Sequence, residues 1–176
     1  MDELKGVSFL YYAFSELFLM KDYYYLKLLC DNLSSSDYSH YTLNVLGHID
    51  SDKVQEELNL LDEAFLLERS YRDVNVEQTL RFYEGSGFKL DEGYEPDHVG
   101  IELRFLSLLC LEGDQVKGYI NQYRFIRNRL DWLRDMEETF KRRGFIAMKD
   151  SISFLRAFLR DHKTFLMGEL KMKFTD

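Results

Sequence analysis

Apolar residues recur every three or four positions along most of the chain, which is the spacing of one face of an α-helix. In the first segment these positions are Leu4, Val7, Phe9, Leu10, Tyr11, Phe14, Leu17 and Phe18. They predict an amphipathic helix whose wide apolar face packs against the rest of the domain. Further helices are predicted over 22–33, 38–46 and 52–70, where serine, aspartate and glycine mark the boundaries.

Start and stop signals divide the second half of the chain in the same way. One predicted helix begins after Asn75, and another has Pro96 in its first turn and reaches residue 111. The pattern then predicts one continuous helix over 115–143 and a last amphipathic helix, which leaves 171–176 as a frayed tail.

Composition agrees with a helical interpretation, since the chain contains one proline, the residue that usually marks turns and edge strands. A length of 176 residues predicts one domain. We therefore expect a single all-α domain over 1–170, a bundle of about seven to nine helices.

The 31 acidic and 23 basic residues give a net charge of −8, which repels phosphate backbones and anionic lipid. The sequence has no apolar run of about 18 residues and does not start with the basic region of a signal peptide. We expect a cytoplasmic protein that binds no nucleic acid and does not span a membrane.

Catalytic and metal-binding motifs are absent from the sequence. Cys30 and Cys110 form no C-x-x-C pair, and the four histidines lack paired ligand spacing. No P-loop, G-x-G-x-x-G or G-x-S-x-G motif occurs. We expect no metal, no cofactor and no enzymatic activity.

His98 and Glu102 lie four positions apart on one predicted helix, so their side chains share a face. A hydrogen bond between them would hold one imidazole tautomer and raise the histidine pKa. The pair could equally be structural and tie the start of this helix to a neighbour.

An acidic stretch surrounds the same place. Residues 84–102 contain six carboxylates and one lysine, interleaved with the aromatic residues Phe88 and Tyr94. Such a surface suits a peptide with a basic end and an apolar body. The alternative interpretation is a solvated acidic loop.

Basic residues cluster later, at Arg124, Arg127, Arg129, Arg134, Lys141, Arg142 and Arg143. Carboxylates interleaved at helical spacing predict a face of salt bridges, and an anion site is the alternative. Trp132, the only tryptophan, is a core residue or a pocket wall.

The segment Tyr94-Glu95-Pro96-Asp97-His98-Val99-Gly100-Ile101-Glu102-Leu103-Arg104-Phe105-Leu106 resembles the signature of the TorD/DmsD/NarJ family of redox-enzyme maturation chaperones. Its core is P-D-H followed by E-L-x-F-[ML]. Phe82-Tyr83-Glu84 with Gly87-Phe88, and Phe125 through Trp132, are similar to two further family segments. Arg129 stands where the family usually has histidine.

This resemblance implies an all-helical cytosolic chaperone. Such a protein binds the twin-arginine leader, or the apo form, of a molybdenum oxidoreductase subunit until cofactor insertion is complete. It implies peptide contact by Asp97 and His98, with Glu102 holding His98. Tyr94 and Phe88 are the expected apolar walls, and Glu95 and Trp132 complete the expected peptide-binding set.

Two alternatives stay open. One is an assembly adaptor for a membrane-associated reductase, without leader recognition, as in the nitrate-reductase branch. The other is a nucleotide-dependent switch, although the sequence lacks a phosphate-binding loop. We expect a monomer or a homodimer.

Overall fold

A computed structural model describes residues 2–33 and 50–175. This part of the chain is all-α. Its eight α-helices are α1 (Asp2–Leu19), α2 (Tyr24–Leu33), α3 (Ser51–Leu60), α4 (Val76–Gly85), α5 (Val99–Leu109), α6 (Gln115–Arg129), α7 (Leu133–Arg143) and α8 (Ile146–Thr175). Two short 3₁₀ turns, Glu63–Leu66 and Glu68–Ser70, connect α3 to α4.

The core forms where α1 packs on α5 and where α6 and α7 pack on α8. Phe105 of α5 lies in a cluster of rings, with centroid distances of 4.6 Å to Tyr83, 5.0 Å to Phe125 and 5.4 Å to Phe88. Such aromatic pairs contribute about 0.5–1.5 kcal/mol each beyond their buried area. The cluster fixes α4, α5 and α6 relative to one another.

The all-α class and several helix boundaries are confirmed. Asn75 Oδ1 accepts a 3.0 Å hydrogen bond from the Gln78 amide, which caps α4 as the sequence predicts. Gly144, with a φ of 81°, ends α7 in the left-handed conformation that glycine adopts easily. The helix predicted over 38–46 lies outside the described residues.

The single helix predicted over 52–70 is wrong. The observed helix begins at Ser51, because its N-cap is Asp50, two residues before the predicted cap Asp52, and it ends at Leu60. Leu61 is extended, and Asp62 then caps a new 3₁₀ turn by accepting from the Ala64 amide at 2.9 Å. Apolar residues continue across the break, some buried, such as Leu61 and Leu66, and one exposed, Leu60, so the apolar pattern hides the break.

Two more predicted helices need correction. The helix that starts at Pro96 begins instead at Val99, because the His98 amide closes a turn on the Glu95 carbonyl oxygen at 3.1 Å and the Glu68 amide donates to the Asp97 carbonyl oxygen at 2.8 Å. The helix over 115–143 is two helices that are interrupted at 130–132. The last helix continues to Thr175, into the segment 171–176 that the sequence predicts to fray.

Every helix of the described part is too short or too polar to cross a lipid bilayer.

Candidate functional site

The start of α5 is held against the 3₁₀ segment that precedes α4. Leu67 and His98 form an isolated antiparallel bridge, so the extended backbones of these two residues lie side by side. His98 then caps α5, since its Nδ1 accepts a 3.0 Å hydrogen bond from the Gly100 amide. The P-D-H segment is therefore a turn that precedes α5, and it is not the first turn of that helix.

Asp97 is fully buried and is bound by Arg69. The guanidinium donates to both carboxylate oxygens, at 2.5 Å to Oδ1 and 2.8 Å to Oδ2, and the Arg69 amide donates to Oδ2 at 3.1 Å. Burial alone would raise the pKa of Asp97, but these hydrogen bonds outweigh it and the net pKa is lowered. Arg69 also pairs with the exposed carboxylate of Glu95.

The predicted hydrogen bond between His98 and Glu102 is wrong. The Nδ1 atom of His98 is used by the Gly100 amide, and its Nε2 lies 3.5 Å from Glu63 Oε2. The predicted rise in the His98 pKa is also wrong, because burial lowers it more than Glu63 raises it. As the cap residue, His98 lies outside the helix, so the four-residue spacing does not bring the two side chains together.

Glu102 is instead fully buried beside Trp132 and Arg129. Its Oε2 accepts a 3.0 Å hydrogen bond from Trp132 Nε1, and its Oε1 lies 3.6 Å from a guanidinium nitrogen of Arg129. Burial and the neighbouring carboxylate of Glu68 raise the pKa of Glu102 well above its usual value.

Glu68 is the third fully buried carboxylate, and two arginines bind it. Arg129 donates to Oε2 at 2.5 Å and Arg72 donates to Oε1 at 2.6 Å. Arg72 also reaches Asp131 at 2.5 Å, next to the break between α6 and α7. We call Glu68, Arg72, Glu102, Arg129 and Trp132 the buried network.

The sequence reasoning missed most of this network. Glu68 and Arg69 belong to the helix predicted over 52–70 and Arg72 follows it, although the spacing of Glu68 and Arg72 is that of a helical ion pair. Arg129 was expected on an exposed salt-bridged face, and this is wrong, because it turns inward to Glu68 and to Thr79 Oγ1.

The predicted site residues do not form one cleft. Tyr94 and Glu95 are exposed, with 45% of the Tyr94 residue and 55% of the Glu95 side chain accessible. Asp97, His98, Glu102 and Trp132 are buried beneath them or farther inside the domain. Their role in peptide binding stays a prediction.

Phe88 lies in a different groove, between α1 and the second half of α5. This apolar groove has a volume of about 460 Å³ and is lined mainly by Phe9, Tyr12, Phe88, Leu108 and Leu111. Leu108 and Leu111 are about half exposed, at 46% and 55%. Lys5 and Arg104 lie at its rim, so the carboxylates expected around the apolar surface are not found there.

No group of three or more histidine, cysteine, aspartate or glutamate side chains in the described ranges is placed to hold a metal ion.

Residues 60–142 match the family model of the nitrate reductase delta subunit. No curated protein and no solved structure matches the chain. The family match confirms the resemblance that the P-D-H segment carries, and its range contains both the start of α5 and the whole buried network.

Proposed function

We propose that this chain, whose residues 60–142 match the family model of the nitrate reductase delta subunit, binds the twin-arginine leader of a molybdenum oxidoreductase subunit. Binding takes place in the cytoplasm and lasts until cofactor insertion and assembly are complete. The family consists of chaperones and assembly factors for molybdoenzymes and not of enzymes. The family match carries this proposal, and the surface near the start of α5 supports leader recognition.

Direct contact is proposed for the exposed residues of this surface. Glu95 and Glu63 present carboxylates to the arginines of the leader, and Tyr94 offers an aromatic ring beside them. In the free protein, the guanidinium of Arg69 pairs with the Glu95 carboxylate, so a leader guanidinium would replace that of Arg69. Exchange between two guanidinium groups would keep Glu95 in an ion pair in both the free and the bound protein.

Positioning roles are proposed for the buried residues. Asp97 anchors Arg69, and His98 caps α5, so together they fix the loop that carries Tyr94 and Glu95. In this conformation a leader arginine reaches Asp97 only if Arg69 moves away. Glu102 and Trp132 act from farther inside, by joining α5 to the break between α6 and α7.

The apolar segment of the leader is proposed to bind the apolar groove that Phe88 lines. Val99 and Leu108 mark the two ends of α5, and at 1.5 Å per residue they lie roughly 13 Å apart along its axis. A leader with arginines at one end and an apolar stretch after them can span this distance. The basic rim of the groove would keep the leader arginines at the carboxylate end.

Calorimetric titration with synthetic peptides tests leader binding. One peptide carries two consecutive arginines followed by an apolar stretch, and a second has both arginines replaced by glutamine. We expect the first to bind at least tenfold more tightly, and Glu95→Gln to weaken its binding about three- to tenfold. The matched variant Glu56→Gln removes an exposed carboxylate on α3 and should leave affinity unchanged.

Equal affinity for the two peptides would refute recognition of the arginines. A second variant, Leu108→Ser, separates the apolar contribution, because it alters the groove without changing charge. Added salt should weaken the arginine peptide more than the glutamine peptide, since exposed charges are screened.

The family match also favours a second candidate, an assembly adaptor that binds the mature part of the catalytic subunit. Binding of an apo catalytic subunit that lacks its leader, at the affinity of the full precursor, would support the adaptor and refute leader binding.

A further inference from the structure

A basic pocket lies where α6, α7 and α8 meet, separate from the start of α5. Its volume is about 340 Å³, within the range of small-molecule sites. Six cationic side chains line it against two carboxylates, Asp131 and Asp135. The six are Arg72, Arg127, Arg134, Arg156, Arg160 and Lys163. A protein with a net charge of −8 thus has a concave surface of the opposite sign.

Two of these cations, Arg127 and Lys163, form no ion pair in the part of the chain that the structure describes. Arg72 and Arg156 are held by Glu68 and Glu137. The neighbouring pairs Arg134–Asp135 and Arg160–Asp161 are exposed, and such pairs contribute little. Among the described residues, internal carboxylates therefore leave the positive charges of Arg127 and Lys163 unpaired.

The floor of the pocket is apolar and firmly packed. Leu130, Leu159 and Trp132 line it, yet each is at most 4% exposed, so they offer shape and little contact area. The accessible groups are guanidinium and ammonium heads that come from three helices. Guanidinium groups bind carboxylate and phosphate in a two-pronged geometry.

We propose that this pocket binds a small molecule that carries at least two oxyanion groups, either phosphate or carboxylate. The ligand bridges Arg127 of α6 and Lys163 of α8, which leaves Arg72 in its internal ion pairs. This site goes beyond the proposed leader binding, because its charge repels a peptide with a basic end. Its size matches a compact ligand better than an extended acidic protein segment.

The position of Trp132 makes binding directly measurable. It is the only tryptophan of the chain, so fluorescence excited at the red edge of indole absorption comes from a single residue that lines this pocket. The probes are inorganic pyrophosphate, citrate and a hexaglutamate peptide, titrated into the full chain at constant ionic strength. Sodium chloride and sodium sulfate titrations define the response to salt.

Pyrophosphate or citrate should saturate the signal at concentrations where the salts give none. Arg127→Gln and Lys163→Gln should each weaken the binding about three- to tenfold, as expected for loss of a charge-assisted contact. Arg124→Gln is the matched control, because Arg124 is exposed on the same helix and does not line the pocket. Thermal unfolding without ligand checks that each variant folds.

A preference for pyrophosphate or for citrate identifies phosphate or carboxylate as the ligand group, and either supports the proposal. Three results would overturn it. These are no saturation beyond the salt response, an equal loss in Arg124→Gln, or tighter binding of hexaglutamate than of both small anions. The last result would assign the pocket to an acidic protein segment.

Discussion

Trp132 Nε1 donates a 3.0 Å hydrogen bond to Glu102 Oε2, and both side chains are buried. A buried indole N–H needs an acceptor, and this acceptor lies on α5, 30 positions earlier in the chain. The bond joins the first turn of α5 to the break between α6 and α7. Trp132 is therefore anchored inside the domain at the point where the predicted helix over 115–143 is divided.

We expect Glu102→Gln to change how stability depends on pH. The pKa of Glu102 is raised in the folded state, so the native protein retains a proton that the unfolded chain releases above about pH 4.5. Wild-type stability therefore falls as pH rises through this range, and glutamine removes that loss. Urea unfolding from pH 4 to 8 should show the variant gaining stability relative to wild type as pH rises.

Glu102→Ala provides the control for this experiment. Alanine removes the acceptor of Trp132 and leaves a cavity, so we expect the free energy of unfolding to fall by about 2–4 kcal/mol at neutral pH. A stability difference between wild type and Glu102→Gln that does not change with pH would show that Glu102 is not the titrating group.

Local patterns account for the parts of the fold that the sequence predicts correctly. Asn75 caps α4 with an amide three positions away, and Gly144 ends α7 through its own backbone conformation. The breaks at Leu61 and at 130–132 depend on contacts with distant segments, such as the bond from Arg72 to Asp131. Helical periodicity does not report such contacts.

In the candidate site, too, local sequence features are predictable and contacts between distant segments are not. The resemblance around Pro96 identifies the family, but the sequence does not show that Asp97 is buried under Arg69, 28 positions earlier. Nor does it show that His98 is a cap residue, which makes the spacing to Glu102 irrelevant. A spacing rule predicts side-chain pairs only where both residues lie within one helix.

We expect Asp97→Asn to destabilise the protein at neutral pH. Arg69 outweighs burial and holds the folded-state pKa of Asp97 below its usual 3.8, so its stabilisation is present above that pH and is lost as pH falls through the folded pKa. Because Arg69 is 41% exposed, we expect a loss of only about 1–2 kcal/mol. Urea unfolding at pH 7 and near pH 2 measures it.

The difference between wild type and Asp97→Asn should shrink as pH falls, because the Asp97 side chain becomes neutral, like asparagine, as pH passes through its lowered folded-state pKa. Glu95→Gln serves as comparison, because its exposed pair with the same arginine should contribute little. An equal loss in both variants would contradict the dominant role of the buried carboxylate.

Gly100→Ala is expected to weaken the packing of α1 on α5. A Cβ atom built on Gly100 lies 2.6 Å from Leu19 Cγ, which is closer than such atoms approach, so one helix or one side chain must move. We expect a loss of about 1–3 kcal/mol in thermal or urea unfolding. In a Leu19→Ala background, Gly100→Ala should cost less stability than it does in wild type, because the clashing side chain is gone. An equal cost in both backgrounds would refute the steric explanation.

His162 is expected to titrate far below a free histidine. Its Nδ1 lies 2.7 Å from the hydroxyl of Tyr11, and burial lowers its pKa to about 4. The native protein thus binds fewer protons than the unfolded chain below pH 6.5, so stability is fully present above that pH and falls as pH drops toward 4. The loss amounts to about 3 kcal/mol.

Nuclear magnetic resonance of the imidazole protons tests the His162 pKa directly, and His162→Phe assigns the signal. The double variant Tyr11→Phe/His162→Phe replaces the bonded pair with two apolar rings, so no unpaired hydroxyl stays buried. Between pH 6.5 and 4, the free energy of unfolding should fall less in this double variant than in wild type. A His162 pKa near 6.5, or an unchanged pH dependence in the double variant, would show that this ring is solvated and that burial does not control its protonation.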